Sequence, residues 1–329
     1  MSDEPAQDQP EVKVEVQVDV LGEPWTAETI ELGEDHEGPV VATLVSRRAE
    51  QPTGRALLHV HGFADYFFHA EMAEHWLARG YDVYALDLRK YGRSLREWQT
   101  PTYAADLGEY DDDLAAAWQR VVERDGHDHV VVSAHSTGGL TVSLWLDAQQ
   151  PEALAGVVLN SPWLDLQGSL LLRTAGTLAI KEIGRRQPMR EIRRDVSGLY
   201  GRSLHRDHGG EWDYDLTWKP LRSFPLHFGW LRAIRVAHAR LQAGLDVPAP
   251  VLVLSSDRSA TPSEVDDDAH TTDIVLDVEQ IRRWSTAVGR HVTYVAVPGA
   301  KHDVVLSREP ARSRAYAEID RWHAAYVSP

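Results

Sequence analysis

One segment, residues 129–150, constrains the fold of this chain more than any other. Its first part, HVVVSA, is typical of a buried strand, and its last part, TGGLTVSLWLDAQQ, is typical of a helix. Only His135 and Ser136 join the two, so the strand must turn almost directly into the helix. A turn this tight needs small residues two positions before and two positions after Ser136, where Ala134 and Gly138 stand. The segment therefore predicts a serine hydroxyl presented at the end of a strand.

The same alternation of strand and helix runs through most of the sequence. Apolar or alternating runs predict eight strands, over residues 11–20, 39–46, 54–62, 81–88, 129–134, 155–162, 249–256 and 291–299. Helical spacing of apolar residues predicts helices between them, over 66–79, 109–124, 137–150, 277–288 and 310–326. This order favours an α/β fold with a mostly parallel eight-stranded sheet flanked by helices. The first two strands fit an antiparallel edge of that sheet.

The alternation fails in one place, between residues 165 and 245. This block contains helix-like stretches, a loop that reads GEWDYDLTWKP, and several tryptophans. We interpret it as an inserted helical cap, with residues 11–164 and 246–329 as the two parts of one core. Residues 1–10 are acidic and polar, which predicts a disordered tail.

Composition excludes several classes of protein. The 34 Lys and Arg residues stand against 50 Asp and Glu residues, which gives a net charge of −16. Such a charge argues against nucleic-acid binding and against docking on anionic membranes. The absence of cysteine excludes disulfides and a thiolate nucleophile. No apolar run reaches the roughly 18 residues of a membrane span, so we expect a cytoplasmic protein without stable membrane insertion.

Ser136 and His302 are the residues that suggest chemistry. A serine hydroxyl is a weak nucleophile until a neutral imidazole takes its proton. His302 follows the last predicted strand in the sequence VPGAKHD, so it also lies at the end of a strand. The alternative for Ser136 is that it and Thr137 simply cap the following helix.

Four motifs together resemble the α/β-hydrolase superfamily, and most of all its serine aminopeptidase-like, monoacylglycerol lipase and lysophospholipase-like branch. They are HGF at 61–63, DLRKYGRS at 87–94, AHSTGG at 134–139 and GAKH at 299–302. The resemblance covers about residues 12–326. Two departures are Ala134 and Lys90, each of which stands where the family has glycine.

The resemblance implies a role for each site residue. Ser136 would be the nucleophile and His302 its base, and the backbone N–H groups of Phe63 and Thr137 would form the oxyanion hole. The acid that orients His302 has two candidates. Asp273, 29 residues before the histidine, fits the family spacing and is favoured, and Asp257, directly after a predicted strand, is the alternate.

The resemblance also implies hydrolysis of a carboxylic ester through an acyl-enzyme, without a cofactor. Aromatic side chains in the predicted cap favour a hydrophobic small-molecule substrate, and Trp212, Trp218 and Trp230 are the candidate binding residues. For each of them the alternative is packing between cap and sheet. A metal site at His59 and His61 lacks further ligands at close spacing, so no metal is expected.

Other functions stay open at this point. The same three catalytic residues serve aminopeptidases and thioesterases, and the acidic run at 264–268 could hold an amine. A dehalogenase or epoxide hydrolase needs aspartate where Ser136 stands. A non-catalytic ligand-binding protein on the same fold is the alternative outside enzymes. The sequence leaves the oligomeric state undetermined.

Overall fold

The computed structural model describes residues 16–167, 170–192 and 197–328. The strands in these residues are β1 (Val16–Val18), β2 (Thr26–Asp35), β3 (Gly38–Arg47), β4 (Arg55–Val60), β5 (Tyr81–Asp87), β6 (His129–His135), β7 (Leu154–Asn160), β8 (Val251–Ser256) and β9 (Val292–Val297). The helices are α1 (Ala70–Leu77), α2 (Asp111–Gln119), α3 (Thr137–Gln149), α4 (Leu170–Arg186), α5 (Leu199–Leu204), α6 (Phe228–Gln242), α7 (Asp267–Thr271), α8 (Val278–Trp284) and α9 (Ala311–Tyr326).

The strands form one mixed sheet in the order β1-β2-β3-β5-β4-β6-β7-β8-β9. The six strands from β5 to β9 in that order run parallel, and β1, β2 and β3 pair antiparallel at one edge. The predicted fold class, a mostly parallel sheet flanked by helices with an antiparallel edge, is confirmed. The strand count differs, because the described residues contain nine strands where the sequence predicted eight.

The additional strand is β2, and its charged residues explain why it was missed. Glu28 is the third residue of this strand and is buried, with an exposed fraction of 5%. Its carboxylate accepts hydrogen bonds from Arg120 and Arg124, which follow α2. Because a buried, paired glutamate looks like a solvent-facing residue in the sequence, the apolar pattern is interrupted. The predicted first strand, 11–20, is described only from residue 16, and the predicted tail over 1–10 lies outside the described residues.

The helix predicted over 66–79 begins only at Ala70. Side-chain carboxylates capture the backbone N–H groups before it: Asp65 accepts from Tyr66 at 2.9 Å, and Asp87 accepts from Phe67 at 2.9 Å. Acceptors of this kind compete with helical hydrogen bonding. Residues 66–69 therefore stay outside the helix and bury the side chains of Tyr66, Phe67 and Phe68.

The chain leaves the sheet between β7 and β8, where the sequence predicts the cap over 165–245. This segment contains α4, α5 and α6. The last helix, α6, packs on α3, and its buried Trp230, Ile234 and Leu241 belong to the main hydrophobic core. The division of the chain into core and cap stays a prediction.

The carboxyl ends of the parallel strands meet at one edge of the sheet, where α/β folds place their ligands. The loops after β4, β6, β8 and β9 converge there, and they carry Phe63, Ser136, Asp257 and His302. Among the described residues, no helix is long and apolar enough to cross a membrane.

Candidate active site

Ser136 lies in a strained turn between β6 and α3. Its φ of 52° and ψ of −116° are rare for a residue with a side chain. Three backbone hydrogen bonds hold the turn. The Ser136 N–H donates to the Asn160 carbonyl at 2.9 Å, and the Ser136 carbonyl accepts from Gly139 and Trp163 at 3.0 Å each.

Gly138 permits this turn, because a Cβ atom at that position would lie 2.2 Å from the carbonyl oxygen of His61. The first turn of α3 therefore packs directly on the end of β4. Ala134, which replaces the family's glycine, is fully buried in β6 between β4 and β7, where its methyl group is accommodated.

His302 reaches Ser136 from the loop after β9. Its Nε2 lies 3.0 Å from the Ser136 hydroxyl, so the hydroxyl can donate to a neutral imidazole. Both side chains are buried, with exposed fractions of 2% and 8%. The loop itself is fixed by the Lys301 N–H, which donates to the Ser307 hydroxyl at 2.9 Å. The arrangement can move a proton from serine to histidine.

Asp273 lies on the other side of the same imidazole. One carboxylate oxygen accepts from His302 Nδ1 at 2.9 Å, and the other accepts from the N–H groups of Val275 and Leu276 at 2.8 and 2.7 Å. A short bridge pairs Asp273 with Ser259, which returns the long acidic loop to the end of β8. Asp273 thus occupies the strand end although it lies 16 positions after Asp257 in the sequence.

Asp257, the alternate acid, has a different contact. Its carboxylate accepts from the Gly299 N–H at 3.1 Å, and its side chain is exposed. It supports the turn before His302 and does not replace Asp273 in the contact with the imidazole.

The two predicted oxyanion donors flank Ser136. A Cβ atom on Gly62 would lie 3.0 Å from the Cβ of Ser136, so the peptide that carries the Phe63 N–H runs directly beside the serine. Among the described residues, none accepts a hydrogen bond from the Phe63 N–H. Thr137 is the first residue of α3, where N–H groups have no partner within the helix. Both donors are therefore available to an anionic oxygen above Ser136.

Comparison with known proteins decides the family. Residues 51–309 match the family model described as serine aminopeptidase, S33. The chain belongs to this family. Lysophospholipase L2 of Escherichia coli K12 is 33% identical over 99 residues, which are 30% of this chain and 29% of that relative. The chain thus matches less than a third of the length of that curated relative.

Solved structures share the fold of this S33 family member. Monoglyceride lipase from Saccharomyces cerevisiae has a TM-score of 0.65 at 14% identity, and the match covers 91% of this chain and 95% of the lipase. Monoacylglycerol lipase from Paleococcus ferrophilus has a TM-score of 0.62 at 19% identity, and the match covers 86% and 99%. These likenesses show the α/β-hydrolase fold.

His61 fixes the start of the loop between β4 and α1, which carries the predicted oxyanion donor Phe63 and which we call the oxyanion loop. Its Nδ1 donates to the Gly62 carbonyl at 2.8 Å, and its Nε2 accepts from the Leu88 N–H at 3.1 Å. His59 contacts the Ser133 hydroxyl at 3.3 Å. Within the described part of the chain, no three His, Asp or Glu side chains are grouped so that they could hold a metal ion.

The three predicted binding tryptophans have different surroundings. Trp230 packs on Phe63, with ring centroids 4.4 Å apart. Trp212 donates from Nε1 to the Leu306 carbonyl at 2.8 Å, and Trp218 packs edge-on against Tyr66. Trp230 therefore adjoins Phe63, a predicted oxyanion donor, whereas the other two rings contact the loops on either side of the site.

A second group of buried charges lies behind His302, and the sequence did not predict it. We call it the inner cluster: Asp65, His69, His135, Lys219 and Asp303. The Asp303 carboxylate accepts from His69 Nε2 at 2.9 Å and from the Asn160 amide at 2.6 Å. Lys219 Nζ lies 2.7 Å from an oxygen of Asp65.

The members of the inner cluster influence one another. Burial alone would raise the pKa of Asp65, but the Lys219 ammonium and the His135 ring hold that pKa well below its usual value. Burial would also raise the pKa of Asp303, yet His135 and the hydrogen bond from His69 lower it. Burial lowers the pKa of His135, which favours the neutral ring. A signal existed in the sequence, since each of the five lies within seven residues of a predicted site residue, and Lys219 directly follows Trp218.

Proposed function

We propose that this chain is a serine hydrolase that cleaves carboxylic esters, with Ser136 as nucleophile, His302 as base and Asp273 as the orienting acid. One observation carries the proposal: the continuous line of contacts from the Ser136 hydroxyl to His302 Nε2 at 3.0 Å and from His302 Nδ1 to Asp273 at 2.9 Å. The strained turn that holds Ser136, in a member of the S33 family, further supports the proposal.

The proposed reaction has two steps. The Ser136 oxygen attacks the carbonyl carbon as His302 takes its proton, and the N–H groups of Phe63 and Thr137 hold the oxyanion. Collapse of this intermediate breaks the bond to the alcohol, which leaves with the proton from His302. Water then attacks the acyl-enzyme by the same route, which releases the acid and restores Ser136. Asp273 stabilises the imidazolium that forms in each step.

We propose a hydrophobic acyl or alcohol group for the substrate. Trp230 and Trp163 stack with ring centroids 5.8 Å apart beside Phe63, which supplies apolar surface next to the oxyanion donors. Relatives named as a lysophospholipase and as monoacylglycerol lipases support a lipid ester of this kind. Residues 165–245 are proposed to form the cap over this surface, since Tyr200 packs on His302 with ring centroids 5.6 Å apart.

The family name makes aminopeptidase activity the second candidate. An aminopeptidase must bind a protonated amine, and the acidic run at 264–268 was the expected place. Asp266 instead caps α7 by accepting from the Ala269 N–H at 3.1 Å, and Asp268 pairs with Arg258 at 2.9 Å. These contacts favour a structural role for the run, and therefore favour the ester.

The test combines a probe with a substrate panel. A fluorophosphonate probe followed by peptide mass spectrometry should label Ser136. Purified protein should hydrolyse p-nitrophenyl esters, and a panel of monoacylglycerols, lysophospholipids, thioesters and aminoacyl arylamides then ranks the bond and substrate classes. Ser136→Ala should lower kcat by a factor of about 10⁴ or more.

Ser143→Ala is the matched control, because Ser143 is a buried serine on α3 whose hydroxyl donates to the Gly139 carbonyl. The Ser143→Ala variant should react with the probe at Ser136 and hydrolyse esters at the wild-type rate. Labelling at another residue, or hydrolysis by Ser136→Ala at the wild-type rate, would contradict the mechanism. Turnover of arylamides but not esters would favour the peptidase, and neither labelling nor turnover would favour a ligand-binding protein.

A further inference from the structure

Lys219 ends a segment that spans the two loops of the proposed active site. We call residues 212–219 the strap. At one end, Trp212 donates to the Leu306 carbonyl in the loop after His302. In the middle, the Asp215 N–H donates to the Tyr66 hydroxyl at 2.7 Å. At the other end, Lys219 pairs with Asp65 in the loop that carries Phe63.

The Lys219 ammonium is enclosed. Its residue has an exposed fraction of 6%, and the rings of Phe68, Tyr200 and Tyr214 lie within 6 Å of Nζ. Removing a cation from water is costly unless an anion pairs with it. Asp65, with an exposed fraction of 1%, supplies that anion. Each partner therefore depends on the other for charge compensation.

His135 is the group whose protonation should respond most if the charge of Asp65 were no longer compensated by Lys219. Its Nδ1 lies 3.4 Å from Asp65 and 3.8 Å from Asp303. Its ring lies 4.9 Å from the ring of His302, between centroids. An imidazole between two carboxylates binds a proton readily if no other cation compensates them.

Each carboxylate of the inner cluster has a partner of its own. Asp303 already has His69 as a hydrogen-bond donor, and Asp65 has Lys219. Other titratable groups that face His135 or Lys219 are His59 and His61 at the end of β4, Tyr200 on α5, Tyr214 in the strap, and His302 itself. None of these is an anion at neutral pH in its ordinary state. Lys219 is thus the cation that matches Asp65.

We propose that Lys219 is a positioning residue for the hydrolytic site: it holds Asp65, and with it the oxyanion loop, and it keeps His135 neutral beside His302. The proposal rests on the proposed function, because it assigns Lys219 a role in the same site. Without Lys219, the cluster takes up one additional proton on His135. A positive ring at that place disfavours the imidazolium that His302 must become during attack on the substrate.

The experiment compares Lys219→Met, Asp65→Asn and the double variant with the wild type. Histidine side chains are labelled with ¹³C, and the His135 signal is assigned by its loss in His135→Gln. In the wild type the His135 signal should not titrate between pH 5 and 8. In Lys219→Met it should titrate within this range, and in the double variant it should again stay constant.

Activity gives an independent readout. In Lys219→Met, kcat should fall by roughly 10–100-fold near neutral pH with a smaller change in KM, and the acidic limb of the pH–rate profile should move to higher pH. The double variant should return the limb to the wild-type position. Lys219→Arg should keep it there, and Lys181→Met serves as a matched control on α4.

The outcomes separate this proposal from the proposed function. The His135 titration needs no substrate, so it decides the charge balance even if Ser136 proves inactive. A folded Lys219→Met protein with a constant His135 signal and an unmoved limb overturns the proposal. If Lys219→Met folds only together with Asp65→Asn, the charge balance is supported. If neither protein folds, Lys219 merely holds the fold and the proposal is wrong.

Discussion

The two sides of His302 are built differently. On the outer side, the ring contacts Ser136 and Asp273 in one line of hydrogen bonds. On the inner side, it packs on His135, which lies between the carboxylates of Asp65 and Asp303. On the outer side, the single carboxylate of Asp273 contacts the imidazole of His302. The inner side has two carboxylates: Asp65 pairs with the Lys219 ammonium, and Asp303 accepts a hydrogen bond from His69.

This difference is consistent with the proposed role of His302 as a base, although acidic groups lie on both of its sides. A carboxylate that contacts the ring stabilises its protonated form. Asp273 does so directly, whereas Asp65 and Asp303 face the His135 ring and are bound by other side chains. The inner cluster can therefore fix the loops without acting on the proton that moves. The predictions below test this separation, beginning with the largest effect.

Replacement of the acid on the outer side should have the largest effect. Asp273→Asn keeps the shape but removes the charge that orients His302 and stabilises its imidazolium. We expect kcat to fall by a factor of about 10³–10⁴. Steady-state kinetics on a p-nitrophenyl ester measure this. Asp257→Asn is the matched control and should change kcat by about threefold or less, as expected for an exposed side chain. Equal losses in both variants would contradict the assignment.

Replacement of an inner carboxylate should act mainly on stability. In Asp303→Asn, an amide group faces either the His69 or the Asn160 donor, so one buried hydrogen bond is lost. We expect a loss of about 2–4 kcal/mol in the free energy of unfolding at pH 7. Urea unfolding followed by tryptophan fluorescence measures it.

Asp303 also gives this loss a pH dependence. Because its pKa is lowered in the folded protein, its contribution is present above the unfolded value of about 4 and is lost as the pH falls below that value. The wild type should therefore lose stability more steeply than Asp303→Asn between pH 5 and 3. Parallel curves would show that the inner carboxylate is not held ionised by its partners.

Lys301 directly precedes His302, and its side-chain nitrogen donates a hydrogen bond to the Ser203 carbonyl in α5. Burial, with a smaller effect of Arg308, lowers the pKa of Lys301 to about 7. Between pH 7 and about 10 the unfolded chain therefore binds one more proton than the folded chain, so stability rises with pH by about 1 kcal/mol per unit.

Lys301→Met removes this dependence. The difference in unfolding free energy between wild type and Lys301→Met should shift in favour of the wild type from pH 7 to pH 9. Lys181→Met, with the same chemical change on α4, should show no such shift. A difference that is constant with pH would contradict the lowered pKa.

The smallest effect is expected at Tyr200, whose ring packs on His302. Among the described residues its buried hydroxyl has no hydrogen-bond partner. Tyr200→Phe should therefore change kcat by less than about twofold and leave the melting temperature equal or slightly higher. A larger loss of kcat would show that the hydroxyl takes part in the reaction and would bring this residue into the active site.

The features that could be predicted from the sequence are each marked by residues close to them in the chain. Ser136 is marked by the small residues beside it, and His302 by its place after the last strand. The parallel strands are marked by their apolar runs. Asp273 could be predicted only from the family spacing, because a long loop separates it in sequence from the end of β8. A bridge between Ser259 and Asp273 places it near that strand end in the fold.

The parts that were missed depend on pairing over long distances. β2 was hidden because its buried Glu28 is paired with two arginines about ninety residues away. Lys219 lies 154 residues from Asp65, and nothing near either residue indicates the pair. Charged residues in a sequence predict a solvated surface by default. Only the fold shows which of them have a buried partner.

The turn at Ser136 has a consequence for selection on this chain. A residue with a side chain in that backbone conformation costs about 1–3 kcal/mol, which the backbone hydrogen bonds to Asn160, Gly139 and Trp163 must offset. Glycine at this position would relieve the strain but would lack the hydroxyl. The backbone conformation therefore favours glycine at this position, whereas the proposed reaction requires serine, so a change that relieved the strain would remove the proposed nucleophile.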